Sequence, residues 1–413
     1  MTISQSDKKI LRELAKRTAE IAALPQQEER IREWKQLNSL NASRPMVMID
    51  QIPWHEMNVD DELTLKTKDP FLRGIEQSLR RTLYKWNHMR VDMVVDPWID
   101  IRKTVRGTGT GIITKEQVSV MDADNSVVGH SYEDQLQTED DLEKITMPDP
   151  VLDEEATRES EETAREIFDG IIDIRMQGVD PSYAMWDRLV QWHGVEKSII
   201  DLLDRPDFIH KMMERYTMSM IALTDKLEER GLFCQPQSLI HCTGAYTDEL
   251  PAPGFNPEKP RAKDLWAMGM AQIFATVSPA MHKEFEIDYV KKCFEKFGLV
   301  YYGCCEPLHL KVGIIRELPN VRKISMSPWV DQEKGAESIG SDYVFSRKPN
   351  PAFLAGSSWN PDEVAEDLRN TISICRKYGC PLELIQKDIS TVKYEPRRLW
   401  EWSDIAMKVI AEG

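Results

Sequence analysis

A chain of 413 residues with a net charge of −16 is long enough for one large α/β barrel or for two to three ordinary domains. Its acidic balance argues against nucleic acid as a partner, because phosphate binding needs a basic surface. No run of 18 apolar residues offers a membrane span, no apolar segment near the amino terminus looks like a secretion signal, and seven cysteines without a regular framework read as free thiols of a reducing, cytoplasmic protein.

The first forty residues read as two helices. "SQSDKKILRELAKRTAEIAAL" carries apolar residues at helical spacing behind a Ser/Asp start, and "PQQEERIREWKQLNSL" opens on a proline, which helices accept in their first turn. Then the period changes. "RPMVMIDQIPW" suits a buried strand, the helix "PFLRGIEQSLRRTLYKWNHM" follows, and "RVDMVVDPWIDI" reads as a second strand. Residues 104–133, with Gly-Thr-Gly-Thr-Gly and "MDADNSVV", read as a hairpin excursion. Beyond the acidic helix "DPVLDEEATRESEETAREIFDGI" lie the strand "IIDIRMQGV", helices near 183–203 and 206–230, and the strand candidate "QPQSLIHCTGAY". A proline-rich loop, "PAPGFNPEKPRAKD", precedes the helix "SPAMHKEFEIDYVKKCFEKFG". Three strands, "LVYYGCC", "VRKISMS" and "DYVFSRK", come next. The helix "NPDEVAEDLRNTISICRKYG" leads into the strand "PLELIQKDIS", and the chain ends in a helix.

Strands separated by helices imply parallel βαβ units, and about eight of them suggest a closed (β/α)8 TIM barrel. The barrel would span residues 44–413, carry the hairpin insertion, and be preceded by an N-terminal helical extension over residues 1–43. An open doubly wound sheet would call for a glycine-rich loop after the first strand, whereas "QIPWHEM" follows Asp50 with no glycine.

In a barrel the chemistry gathers where strands end. Those ends bring Asp50, Gln51, Trp54 and His55; Asp96, Trp98 and Asp100; Arg175 and Gln177; His241 and Cys242; Cys304 to His309; Ser325 to Trp329; Ser346 to Asn350; and Lys387 and Asp388. His241 and Cys242 on one strand candidate, with Cys304, Cys305, Glu306 and His309 on the next, form a zinc-type donor set of thiolate, imidazole and carboxylate. Alternation places Cys304 and Glu306 on one face and Cys305 on the other. A core cysteine, a helix-capping His309 and a strained disulfide between adjacent cysteines are the competing readings. Cys234 and Cys293 read as core, and Cys375 and Cys380 as packing at a helix end.

Three stretches carry a resemblance. "EDDLEKITMPDP" from Glu139 to Pro150, "VSPAMHKEFEIDYVKKCFEKFGLVYYGCC" and "RPMVMIDQIPWHEM" resemble, in that order, the approach to the third barrel strand, a helix-to-strand passage with a functional end, and the first strand with its substrate loop in uroporphyrinogen decarboxylase-like proteins. The resemblance runs from about residue 44 to 412 and implies a (β/α)8 barrel, often dimeric. True decarboxylases of that superfamily carry an Arg-rich loop after the first strand, whereas "DQIPWHEM" has no arginine to hold a many-carboxylate porphyrinogen. The corrinoid-dependent methyltransferase branch has a zinc-binding His-x-Cys near the position of Cys304 and Glu306, and some demethylating members space an acid and a ligand as Glu284 and Cys305 are spaced, although Gly269 stands where a further acid would be.

The resemblance therefore implies a zinc-dependent methyltransferase that moves a methyl group from a small O-methyl or N-methyl substrate to a corrinoid protein. Zinc would polarise the departing oxygen. His241, Cys304, Cys305 and Glu306 are the expected metal ligands, Glu306 and Asp96 the catalytic groups, and Trp54, His55, Trp98, Gln177 and Asp388 the substrate-binding ones. The Asp-x-His-x-x-Gly signature of corrinoid modules is absent, so the cofactor would arrive on a partner. Two rival readings stand beside this one. The first is a metal-free decarboxylase or lyase with Asp96 or Asp388 as acid and Lys348 or Arg347 on a substrate carboxylate. The second is a non-catalytic tetrapyrrole-binding barrel.

Overall fold

The computed structural model describes residues 3–120 and 128–412. The elements that position the site are, in chain order, α1 (Gln5–Ala22), α2 (Pro25–Asn38), β1 (Met46–Ile49), α3 (Pro70–His88), β2 (Trp98–Arg102), α4 (Glu154–Phe168), β3 (Asp173–Gln177), β4 (Ser182–Tyr183), β5 (Trp266–Gly269), β6 (Leu299–Tyr302), β7 (Val321–Met326), β8 (Val344–Arg347), α5 (Pro361–Tyr378), β9 (Leu382–Gln386) and α6 (Arg397–Ala411).

The helices begin where local chemistry says they should. Ser4 accepts from the Asp7 N–H at the start of α1, Asp69 from Phe71 and Leu72 at α3, Asp153 from Ala156 at α4, and Asn360 from Glu363 at α5. Each such cap satisfies an otherwise orphaned donor and contributes about 1 kcal/mol. Helix α5 stops at Gly379, whose φ of 71° is the left-handed conformation that glycine adopts cheaply.

Seven strands form one parallel sheet in the order β1-β9-β8-β7-β6-β5-β4. The first strand thus pairs with the last. Strands β2 and β3 make a separate parallel pair, and among the described residues no ladder joins that pair to the sheet. The fold is therefore a mixed α/β architecture on a seven-stranded parallel sheet. Strands β1, β6, β8 and β9 are buried along their whole length; β1 and β6 read as continuous apolar runs, whereas β8 and β9 carry the buried polar residues Ser346, Arg347, Glu383 and Gln386.

Alternation divides the sheet. Val47, Ile49, Ala267, Val300, Tyr302, Ile324, Met326, Phe345, Leu382 and Leu384 pack against the helices. The other face carries Met46, Met48, Val344 and Ile385, which pack with Trp34 of α2, together with Leu299 and Tyr301. In the centre of that face Lys323 and Glu383 form a fully buried ion pair at 2.7 Å. The segment after residue 234, expected as a strand, is instead a short antiparallel hairpin, Leu239–Ile240 against Thr243–Gly244. It lies on this same face: Thr243 Oγ1 donates to Glu383 at 2.7 Å, and Asn38 Nδ2 donates to the Gly244 carbonyl at 3.0 Å.

Other expectations change in detail. Of "RVDMVVDPWIDI" only Trp98–Arg102 is strand. Val91 takes a φ of 37°, and the buried Asp92 carboxylate turns back to accept from the Val47 N–H and the Arg44 guanidinium. The helix beginning at Ser278 is interrupted by a π turn over Lys283–Ile287. Strand β5 was not anticipated. It offers only "WAMG" behind a proline-rich loop. The excursion at 104–133 is present as two antiparallel ribbons, Val105–Arg106 with Val151–Leu152 and Glu116–Ser119 with Gly129–Tyr132. The "MDADNSV" part of the excursion lies outside the described residues.

Candidate active site

The hairpin tip is strained. His241 and Cys242 both hold positive φ, 41° and 71°, as mirror-image two-residue turns require, yet neither is glycine or asparagine. Gln51 and Asp388, just beyond β1 and β9, also have positive φ, 46° and 55°. Such residues cost on the order of 1–3 kcal/mol each and gather where function demands a fixed geometry.

Cys304 is the centre of this region. Strand β6 ends at Tyr302, and Gly303 takes a φ of 94°, so the chain turns out of its alternation before the cysteines. A Cβ on Gly303 would stand 2.3 Å from Leu308 Cδ1, so the turn needs glycine twice over. Cys304 Sγ lies 3.1 Å from Lys387 Nζ and 3.4 Å from Cys305 Sγ. The Cys304 carbonyl accepts from Ser325 Oγ at 2.6 Å, and that hydroxyl accepts in turn from Lys348 Nζ at 2.7 Å. Lys387 reaches the sulfur because it shares a face with Glu383 and Ile385 of β9.

The charges are arranged to keep this sulfur ionised. A hydrogen bond from the Cys305 thiol, then the His241 imidazole and the Lys387 ammonium, hold the Cys304 thiol well below its ordinary value. Cys305 is pushed up by its bond to the Cys304 sulfur and by burial, and its sulfur lies 3.3 Å from Asp388 Oδ2. Burial lowers His241, whose Nε2 is buried without a hydrogen-bond partner. Burial alone would lower Lys387 too, but Cys304, Cys242 and Asp388 raise it above the lysine range. Lys348, buried and next to Lys387, is lowered to about 8.

Beneath the cysteines lies a second group of titratable residues. Glu306 is fully buried and accepts from the backbone N–H groups of Cys304 at 2.9 Å and Ala271 at 3.2 Å. Burial raises it to about 7 despite those donors. Glu286, in the π turn, is fully buried with both carboxyl oxygens unpartnered, and burial raises it well above the carboxylate range. Lys311, lowered to about 8 by burial, donates to the Phe274 carbonyl at 2.5 Å.

The residues singled out in the sequence are not all brought together. His241, Cys304, Cys305 and Asp388 meet as described, but His241 arrives on a separate hairpin that lies on one face of the sheet. The strands beside β6 are β5 and β7. Glu306 does not share the face of Cys304, because the turn at Gly303 folds its carboxyl group back onto the backbone. His309 turns towards the helix Gln332–Ile339, its Cβ facing Gly335. Trp54 and His55 lie on the rim after β1, Trp54 edge-on to Tyr84 under the Arg81 guanidinium, and His55 3.5 Å from Glu56. Gln177 is occupied, bonding Asp100 and the Gln235 N–H. Asp96 and Trp98 stand at the beginning of β2, not at a strand exit. Asp96 accepts from Tyr246 at 2.9 Å, and Trp98 stacks under Arg175 in a separate cavity of about 320 Å³ lined also by Asp264 and Trp266, before and at the start of β5. Arg347 faces the helix layer, bonded to the Ser327 carbonyl and near Asp367. Glu286, Lys311 and the Lys323–Glu383 pair were missed. For Glu383 and Lys387 a signal existed, since "LELIQK" puts both on one face of a buried strand.

A zinc ion needs at least three converging donors. Cys304 and His241 are adjacent, but both oxygens of Glu306 are taken by backbone donors, and the Lys387 ammonium lies against the Cys304 sulfur. Among the described residues no group of three or more His, Cys, Asp and Glu side chains is placed to hold a metal ion. The four expected ligands therefore do not fit a zinc ion as arranged.

Fold and site together define a parallel α/β protein whose strand ends bury a cysteine sulfur between an ammonium and an imidazole. A solved methyltransferase from Methanosarcina mazei shares this fold, with a TM-score of 0.50 and 11% identity over 91% of this chain and 96% of that one. No protein-family model matches the sequence, and no curated protein matches it. No described helix is long and apolar enough to cross a membrane.

Proposed function

We propose that this chain is a methyltransferase, moving a methyl group from a small O-methyl or N-methyl substrate to a corrinoid carried by a partner protein, with the Cys304 cluster as reaction centre. The observation that carries the reading is the 3.1 Å contact of the Lys387 ammonium with the Cys304 sulfur where the parallel strands end. When a methyl group leaves an ether or amine, the departing oxygen or nitrogen keeps the electron pair. It must then meet a proton or a positive charge. Lys387, held in its charged form by Cys304 and Asp388, supplies that charge. Cys304 and Asp388 hold it in place, and Trp54 and His55 on the rim bound the space for the substrate. The corrinoid supplies, when its protein is docked, the nucleophile that accepts the methyl group.

Two further features support the reading. Leu310 and Trp329, 61% and 69% exposed, lie on the loops after β6 and β7, at the end of the sheet where a partner would dock. The sheet and the β2–β3 pair together suit the walls of a (β/α)8-type barrel. Asp92 N–H bonds the Val47 carbonyl of β1, and Val179, two residues beyond β3, exchanges bonds with Leu232 and Cys234. The test mixes the purified protein with a reduced corrinoid protein and methoxylated aromatics, methanol or methylamines, and follows the corrinoid spectrum. Methylated corrinoid with at least one donor, lost in Lys387→Met, is expected. An unchanged spectrum with every donor overturns the reading.

A further inference from the structure

We propose that the Lys387 ammonium is the resident counter-cation of the Cys304 sulfur, standing in the place that a metal ion would otherwise take. The inference concerns the same site as the methyl-transfer reading, but it is tested without any methyl donor, so either can fail alone.

Two thiols that share a proton do not by themselves decide which sulfur keeps it. Here the surroundings decide. Lys387 Nζ touches Cys304 Sγ at 3.1 Å, while the carboxylate of Asp388 touches Cys305 Sγ at 3.3 Å. The positive group favours the anion on Cys304, and the negative one favours the protonated form of Cys305. Position along β9 produces this split. Lys387 continues the inward row of Glu383 and Ile385, and Asp388, released by its positive φ, turns to the rim, where it is exposed.

The same arrangement opposes a divalent ion. A doubly charged ion bound to the Cys304 sulfur would sit beside the ammonium and be repelled by it. Lys348 is a second buried amine on the same face, next to Lys387. That repulsion opposes the binding free energy that an incomplete donor set could supply. Of the expected ligands only His241 keeps a buried ring nitrogen, Nε2, without a partner: Cys304 faces Lys387, Cys305 lies against Asp388, and Glu306 accepts two backbone N–H groups. An ammonium also does what a metal does for a thiol, since it keeps the sulfur anionic and nucleophilic near neutral pH.

The experiment uses the full chain. Zinc bound after equilibrium dialysis is measured for wild type and Cys304→Ala. The rate of Cys304 alkylation by iodoacetamide, located by mass spectrometry, is followed against pH in a Cys305→Ser background with Lys387 present, as Met or as Arg. We expect well under one zinc per chain, with no difference in Cys304→Ala. We expect alkylation that persists below pH 7 with Lys387, falls about tenfold or more at pH 6.5 with Met, and returns with Arg. One zinc per chain that disappears in Cys304→Ala overturns the inference. So does an alkylation profile that inflects at the ordinary thiol value with Lys387 in place. Both of those measurements stand even where Lys387→Met fails to fold.

Discussion

Glu306 accepts a hydrogen bond from the backbone N–H of Cys304, two residues before it, at 2.9 Å. The carboxyl group is thereby folded back beneath the turn that presents the thiol, and it is fully buried.

Its titration gives a signed prediction. Burial raises Glu306 from 4.5 to about 7, so the folded protein binds a proton that the unfolded chain has released across that window. Stability contributed by the protonated form is complete below about 4.5 and is lost as pH rises towards 7, a change of about 3 kcal/mol. In Glu306→Gln this part of the pH dependence should vanish, at a constant cost of roughly 1–3 kcal/mol for one mispaired N–H. Urea midpoints at pH 5 and 8 for both proteins decide it. Parallel pH profiles would sink the assignment.

The hairpin tip predicts an order of stabilities. Cys242 at φ 71° should accept glycine with little loss, because a left-handed conformation costs L-residues roughly 1–2 kcal/mol that glycine does not incur. Cys242→Val should be the least stable, since β-branching makes that conformation harder still. Chemical denaturation of the three proteins tests the ranking, and a valine variant as stable as the glycine one contradicts it.

For the buried pair Lys323–Glu383, both fully inaccessible at 2.7 Å, removal of one partner is the damaging change. Glu383→Leu should cost about 3–5 kcal/mol by leaving an uncompensated ammonium between Trp34 and Trp266, while adding Lys323→Met should recover most of it. The double-mutant cycle measures the coupling, and additive losses would refute it.

Gly244→Ala should lose about 1–3 kcal/mol, because an added Cβ would stand 2.4 Å from Cδ2 of Trp34. Trp34→Leu should remove that penalty from the second substitution. A penalty of the same size in both backgrounds would show that the contact is not its source.

The parts of the fold that local chemistry sets could be read directly. Ser4, Asp69 and Asn360 begin helices because their side chains satisfy nearby N–H groups, and Gly379 ends one because it tolerates positive φ. What escaped the sequence depends on distant partners. Trp266–Gly269 is a strand because β4 and β6 flank it, although four residues behind a proline-rich loop carry no such signal. The meeting of His241 with Cys304 was expected from two adjacent strands, and a hairpin laid over the sheet brings it about. Alternation failed for Glu306 because a single positive φ at Gly303 resets the direction of every side chain after it. Asp96 was misplaced because Asp92, drawn inward by Arg44 and Val47, delays the strand until Trp98.

The grip of α2 on the hairpin bears on how the molecule assembles. Asn38 bonds the Gly244 carbonyl across 206 positions of chain, and Trp34 covers the same glycine. Contacts of such span form only after long loops have closed, and their entropy must be met before they return anything. His241 is consequently seated only once the first two helices have come home. In a refolding chain the reactivity of Cys304 would report whether these long-range contacts have closed.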